Sequence, residues 1–363
     1  MKLQVTQENL AKALGTVARV ANTRNTLPIL SNVLLRTDKN RLSISATNLD
    51  IAISHFIGSK IEQDGAITVP ARLMQDFVSS LPDSVLKLEL TDNKLNITTD
   101  QYQSTINGMG AEEFPVMPAI SEGISWKIPA ADFKKALSEV VFAASSDDAR
   151  PVLTGVYFHS TGGEVTAAAT DSYRLAEYKL GKNKSAVNFL VPASAAADLL
   201  RIISDGDQEV EVAHDDQQVQ FRVGDVTLVA RLIEGNYPDY SKLIPIKFAT
   251  IAKLKRADFI NIAKVSSLFA RESAGSITIK VDKDAKKVSI NAIASQLGEN
   301  TAAAEAEVTG GGEVTLNSRY LIDALNAFGA EEVEFCFNGK LEPCIIRSAT
   351  EPAYLHLVMP LRS

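Results

Sequence analysis

The sequence predicts an α+β chain of three similar domains in tandem, each with two helices packed on antiparallel sheet. A helix-like phrase, NLAKAL at Asn9, recurs as DFKKAL at Asp132 and DFINIA at Asp258, at intervals of 123 and 126 residues. A second phrase, VPARLMQDFV from position 69, recurs from 191 and 316 at intervals of 122 and 125 residues. Two landmarks therefore agree on one triplication. The predicted domains span 1–120, 121–248 and 249–363.

Two periodicities mark the helices and strands. Apolar residues at helical spacing, such as Leu10, Leu14 and Val17, open each third of the chain, and short alternating runs between polar turns indicate strands. The predicted helices lie at 7–24, 71–80, 131–146, 193–205, 253–272 and 318–328. The predicted strands include 33–37, 41–45, 86–90, 95–98, 155–158, 164–167, 210–212, 219–223, 276–280 and 287–291. Each third therefore contains a helix, strands, a second helix and further strands.

Composition indicates an ordinary globular protein. The chain has 363 residues, of which 45% are hydrophobic and 22% charged, so three domains can each bury a core. The first residues carry Gln7, Glu8 and Lys12, which break any signal-like apolar run, and no run is long enough to cross a bilayer. We expect a cytoplasmic protein.

Charge distribution bears on a nucleic-acid partner more than the net charge of −7 does. The six predicted helices sum to +4, so the rest of the chain holds −11. This count predicts a mildly basic helical surface and an acidic remainder, an arrangement that can face phosphate on one side only.

No pattern in the sequence indicates catalysis, a cofactor or a metal. The four histidines are scattered, and no phosphate-binding loop of the GxxxxGK type occurs. The two cysteines, Cys336 and Cys344, flank a predicted Asn338-Gly339 turn, where we expect free thiols on neighbouring strands.

Four segments carry a family resemblance: 26–30 (TLPIL), 148–156 (DARPVLTGV), 169–176 (ATDSYRLA) and 358–362 (VMPLR). Together with the triplication, they resemble the bacterial DNA polymerase III beta subunit, the beta sliding clamp family, over the whole chain. The resemblance implies a DNA clamp fold and a head-to-tail homodimer, a six-domain ring whose helices line a hole for duplex DNA.

The resemblance also implies a function without catalysis. A clamp of this family is a processivity factor that holds DNA independently of sequence. It tethers the polymerase III catalytic subunit and other replication and repair proteins, and a separate ATP-dependent clamp loader opens it. The alternative from the residues alone is a repeat-built protein-binding scaffold that never encircles DNA.

Candidate DNA contacts come from two sources. The resemblance implies Arg24 and Arg72, and charge alone adds a cluster in the third domain: Lys253, Lys255, Arg256, Lys264 and Arg271. Each could equally be a solvated surface cation. Where many relatives have basic residues, the second-domain helix starts with Ala193 and Ser194, so the contribution of that domain to DNA contact is open.

The resemblance further implies a pocket for short peptides of partner proteins. Its lining would be Leu153, Thr170, Ser172, Tyr173, Arg174, Leu175, Pro238, Lys242, Leu243, Leu357, Met359 and Pro360, extended by Asn317, Tyr320 and Pro343. Leucine, methionine and proline suit an apolar anchor, while Arg174 and Lys242 would meet polar groups at the rim.

The dimer interface is expected to join the first domain of one chain to the third domain of the other. Alignment suggests Ile106, Leu268 and Phe269 for its apolar centre, and ordinary core positions are the alternative. Edge strands at this joint could pair across it.

Overall fold

The computed structural model describes residues 1–21, 27–115, 120, 123–183, 186–295 and 298–362. The first third contains β1 (Lys2–Thr6), α1 (Gln7–Val17), β2 (Asn32–Asp38), β3 (Arg41–Thr47), β4 (Ile51–Gly58), β5 (Lys60–Gln63), β6 (Ala66–Pro70), α2 (Ala71–Ser80), β7 (Val85–Thr91), β8 (Lys94–Thr98) and β9 (Gln103–Asn107). The second contains β10 (Ile124–Pro129), α3 (Ala130–Val140), β11 (Gly155–Thr161), β12 (Glu164–Thr170), β13 (Arg174–Lys182), β14 (Asn188–Pro192), α4 (Ala193–Ile202), β15 (Glu209–His214), β16 (Gln218–Val223) and β17 (Val226–Arg231). The third contains β18 (Thr250–Lys255), α5 (Arg256–Ser267), β19 (Ser276–Asp282), β20 (Lys287–Ala294), β21 (Gly298–Glu305), β22 (Glu307–Thr309), β23 (Gly312–Asn317), α6 (Ser318–Ala327), β24 (Glu332–Phe337), β25 (Cys344–Arg347) and β26 (Tyr354–Val358).

The element order confirms three similar α+β domains. Each third runs strand, helix, a set of strands, second helix and three final strands. All the strand pairs are antiparallel, as predicted, and each first helix buries its apolar stripe, for example Leu10, Leu14 and Val17 on α1. On α5 the stripe includes Ser266, whose buried hydroxyl bonds the Asn300 side chain at 3.0 Å, so a serine can occupy this core position.

The third-domain helix is shorter than predicted. Residues 253–255 belong to β18, where Ala252 and Leu254 are buried between less buried neighbours, a period of two. Lys253 and Lys255 are therefore strand residues, and Arg271 lies beyond α5. Formal charge is zero on α1, α2, α3, α4 and α6 and +1 on α5, so the predicted +4 on helices was wrong.

Two sheets cross the predicted domain boundaries. The strand orders are β5-β1-β7-β8-β9, β10-β15-β16-β17-β4-β3-β2-β6, β14-β11-β12-β13-β26-β25-β24-β18-β22 and β21-β20-β19-β23. The second sheet joins first-domain to second-domain strands through β17 and β4, and the third sheet joins the second and third domains through β13 and β26. The chain accordingly packs as two compact units, 1–131 with 198–232 and 132–197 with 233–363.

The two cysteines are buried and free. Cys336 pairs with Ile345, so Cys344 is on the neighbouring strand but its side chain points to the other face of the sheet. The expectation of neighbouring strands was right, and the alternation of faces keeps the two thiols apart. Among the described residues, no cluster of histidine, cysteine and acidic side chains could hold a metal, and no helix could span a membrane.

Glu139 on α3 is an ionisable group inside the second unit. It is 3% exposed, its Oε1 lies 3.8 Å from the Lys135 Nζ, and its Oε2 has no hydrogen-bond partner among the described residues. Lys135 also binds Glu351 at 2.7 Å. Burial raises the pKa of Glu139 to about 7, against the lowering effect of Lys135.

We predict that Glu139→Gln flattens the pH dependence of stability. Because the folded-state pKa exceeds the ordinary 4.5, Glu139 contributes stability that is complete below that value and is lost as pH rises through about 7. The wild type should lose about 3 kcal/mol of unfolding free energy relative to E139Q between pH 4.5 and 8. Urea unfolding across this range measures it. The exposed Glu89→Gln serves as control, and parallel profiles for E139Q and wild type would contradict the assignment.

Candidate functional site

The predicted pocket residues gather where β13 meets β26. Arg174 pairs with Val358 and Leu175 with Leu357 across this joint. The chain then continues beyond β26, where the Met359 N–H donates to the Tyr173 carbonyl at 2.8 Å. The C-terminal segment is therefore held against the turn before β13 by main-chain bonds.

An apolar cluster underlies this joint. Leu175 and Leu357 are each 1% exposed and pack with Tyr240, and the partly buried Met359 packs against the same cluster. Tyr240 begins the 3₁₀ helix Tyr240–Leu243, at whose other end Leu243 is exposed. The structure thus brings three predicted apolar residues, Leu175, Leu357 and Met359, to one cluster.

Arg174 does not lie at the rim as predicted. Its guanidinium donates to Asp171 at 3.1 Å, to Asp323 at 2.7 Å and to the Phe142 carbonyl at 2.8 Å, and its side chain is 10% exposed. Its donors are engaged by two carboxylates and a carbonyl because a buried cation needs such partners. Arg174 is therefore a buried residue of the site, where it links Asp171, Asp323 and the Phe142 carbonyl.

An aromatic stack covers Arg174. The Tyr320 ring lies 4.7 Å from the guanidinium carbon, and the Tyr173 ring lies 6.5 Å from the Tyr320 ring on a nearly parallel plane. Tyr173 is 57% exposed. It follows Ser172, whose φ of +78° turns the chain outward between β12 and β13. The stack offers an exposed aromatic face beside the apolar cluster.

The other predicted pocket residues have varied surroundings. Lys242 is exposed and paired with Asp239 at 2.8 Å, and Pro238 is exposed nearby. The Thr170 hydroxyl donates to the Arg174 carbonyl at 2.5 Å, and Asn317 caps α6 by accepting from the Arg319 N–H at 2.9 Å. Leu153 is buried, while Pro343 and Pro360 are half-buried.

Sequence reasoning missed the acidic and aromatic partners of Arg174. Asp171, Asp323 and Phe142 position it, and Arg150 donates to the Ser172 hydroxyl at 2.9 Å. Asp171 and Arg150 lie inside the segments that carried the resemblance. Asp323 had a signal of its own, because it occupies the same repeat position as two other aspartates.

Some of the predicted DNA-binding residues are exposed, and others are bonded to groups of the same chain. Arg24 lies outside the described residues. Arg72 on α2, Lys264 on α5 and Arg271 are exposed. Lys253 is paired with Glu332 at 2.8 Å, and Lys255 is exposed. Arg256 donates to the carbonyls of Ala330 at 2.8 Å and Leu325 at 3.3 Å. Arg256 therefore supports the end of α6. Ala193 and Ser194 begin α4.

The predicted interface residues also divide. Ile106 is 6% exposed and belongs to the core of the first domain, because its side chain faces inward from β9. Leu268 is 51% exposed and Phe269 is half-buried at the end of α5. Two of the three are thus accessible.

Comparison with known proteins agrees with this geometry. Profiles of the DNA polymerase III beta subunit match in succession: its N-terminal domain over 1–118, central domain over 127–239 and C-terminal domain over 241–362. The chain belongs to this family, whose members are non-catalytic. A beta sliding clamp of Synechocystis is 31% identical over 100% of this chain and 99% of that protein, and one of Bacillus subtilis is 29% identical over 100% of both. The crystal structure of the Bacillus subtilis clamp has 27% identity and a TM-score of 0.95, covering 100% of this chain and 99% of that one.

We predict that Arg174→Ala destabilises the second unit. The change leaves Asp171 and Asp323 without their buried cation and removes the support of Tyr320, at a cost of about 3 kcal/mol. Arg319→Ala is the matched control, because its side chain is 83% exposed and its loss should cost less than about 1 kcal/mol. Denaturant unfolding compares them, and equal losses would argue against the buried network.

Proposed function

We propose that this chain is a DNA sliding clamp that works as a head-to-tail homodimer around duplex DNA. The observation that carries the proposal is the succession of three clamp domains over the whole chain, each with the same element order. The clamp would tether the polymerase III catalytic subunit and other proteins with clamp-binding peptides. An ATP-dependent loader would open it, and its place would be the cytoplasm. The scaffold alternative has no observation of its own in its favour.

The strand order supports head-to-tail assembly. The last strand of one domain pairs with the equivalent of β4 in the preceding domain: β17 pairs with β4, and β26 pairs with β13. The last strands of the three domains are β9, β17 and β26, and the strands equivalent to β4 are β13 and β21. Of these six strands, β9 and β21 lie at sheet edges in the described chain. Because an unpaired edge has free N–H and carbonyl groups, β9 of one copy and β21 of another can form the missing joint.

The internal joints also suggest a register for this pairing. Ala230 pairs with Ile51 at the first joint, and Val358 pairs with Arg174 at the second. The equivalent positions on the free edges are Ile106 and Gly298, so Thr105 would face Glu299 of the partner subunit.

Weak positive charge suits a protein that slides. Dense phosphate contacts would slow movement along DNA, and base contacts would stop it at a sequence. The helices here carry little net charge, and Arg72 and Arg271 are exposed cations that can meet phosphate in passing. Enclosure, more than affinity, would keep the protein on DNA.

The function is tested by loading the protein onto nicked circular DNA with its loader and then cutting the circle. We expect the bound protein to leave through the free ends while it stays on uncut circles. Retention on linear DNA would indicate ordinary binding, and no loading would favour the scaffold. Either result would overturn the proposal.

We propose that the apolar cluster and aromatic stack at the β13–β26 joint form the peptide pocket. Leu243, Met359 and the Tyr173 face supply exposed or partly exposed apolar surface, and Lys242 lies at its edge. A short peptide with a leucine or phenylalanine anchor fits this chemistry.

We predict that Met359→Ala weakens binding of such a peptide at least tenfold, because about 1.4 kcal/mol is lost with the side chain that flanks the anchor. Fluorescence anisotropy with a labelled partner peptide measures the affinity, and light scattering confirms that the dimer persists. Val85→Ala, an exposed change on β7, is the control. Unchanged affinity in M359A would sink the pocket assignment.

A further inference from the structure

An aspartate occupies the same repeat position on all three second helices. It is the eighth residue of each copy of the second phrase: Asp76 on α2, Asp198 on α4 and Asp323 on α6. The exposed fractions of the three side chains differ, at 71%, 17% and 32%. Two copies are therefore largely covered and one is open.

The first internal joint shows what faces Asp198. A notch of about 240 Å³ is lined by Gly15, Thr16 and Arg19 from the end of α1 on one side, and by Asp198, Arg201 and Ile202 on the other. Arg201 binds Asp198 at 3.0 Å. The first helix of one domain thus meets the second helix of the next, with cations around the aspartate.

The second internal joint repeats this arrangement with other residues. Arg174 from β13 binds Asp323 at 2.7 Å. Phe142, at the repeat position of Arg19, lies 5.3 Å from the same guanidinium. Asp323 therefore binds an arginine from across its joint, whereas Asp198 binds Arg201 of its own helix and shares the notch with Arg19 from across the joint.

Asp76 is the exception. Its one ion pair in the described chain is the loose contact with Arg72 at 3.8 Å on its own helix. The joint that would cover it is the one between β9 and β21, which involves a second copy. The helix facing α2 there would be α5, the first helix of the third domain.

The repeat frame identifies the facing residues on α5. Lys264, Val265 and Leu268 stand where α1 has Gly15, Thr16 and Arg19. Lys264 is exposed, and Val265 and Leu268 are 46% and 51% exposed, so α5 presents one cation beside two aliphatic side chains. Leu268 has no charge and cannot replace Arg19 as a cation. Lys264 lies one turn earlier on the same face of α5 and can supply the positive charge.

We infer that Asp76 forms an ion pair with Lys264 of the partner subunit at each joint of the dimer. The inference rests on the proposed head-to-tail assembly and adds a residue pair that completes it. It also gives Lys264 a role at the interface in place of DNA contact. The aliphatic pair on α5 would be covered at the same time.

The test is a charge swap. Asp76→Lys and Lys264→Asp, each alone, place like charges opposite one another at both joints and should weaken the dimer about tenfold, measured by analytical ultracentrifugation at low salt. The variant with both changes restores opposite charges and should return to within about twofold of wild type. High salt should narrow the differences among all four proteins. Lys283→Asp, in the turn between β19 and β20, controls for the loss of a lysine.

A crosslink separates this inference from the assembly beneath it. Thr105→Cys with Glu299→Cys should form a disulfide between chains if β9 pairs with β21. A crosslinked dimer whose two charge changes act independently, with no rescue in the combined variant, would overturn the ion pair and keep the ring. A chain that stays monomeric and does not crosslink would overturn both.

Discussion

The pairing of backbone groups across domain boundaries is the constraint on which the rest of this structure depends. The β17–β4 and β13–β26 ladders make two continuous sheets, so main-chain groups over Ile51–His55 and Arg174–Tyr178 are paired with the neighbouring domain. The same ladders fix where the helices of adjacent domains meet. The three similar domains therefore differ in the partner of one equivalent strand: β4 pairs with β17, β13 pairs with β26, and β21 is a sheet edge in the described chain.

The candidate peptide site arises from one of these joints. Residues of the second domain at Tyr173 and Arg174 meet the end of β26 and the start of α6 from the third domain, and neither domain holds the site alone. Arg174 links the two by binding Asp171 on its own turn and Asp323 on α6. A buried cation with partners from both sides specifies one arrangement of the joint, since any slip would leave a charge unpaired.

The sequence predicted the elements better than the joints. Helical and alternating patterns are local, so six helices and ten of the 26 strands were placed. The error at β18 came from reading a short alternating run as helix, and the helix predicted over 7–24 ends at Val17. Strand pairing between residues as distant as His55 and Val226 leaves no local signal. The same holds for Arg174 and Asp323: family resemblance pointed to the arginine, but its burial and its partner depend on chain segments 149 residues apart.

The shared sheets also determine the order in which the chain can fold during its synthesis on the ribosome. The apolar strand β4 has its outer partner β17 roughly 170 residues further on, a delay of about 10 to 30 s at ordinary rates of synthesis. During that interval β4 is an open edge, the kind of surface that recruits chaperones or other nascent strands. The outer partner of β13 is β26, roughly 180 residues further on, so the second unit cannot close before Val358 has been synthesised.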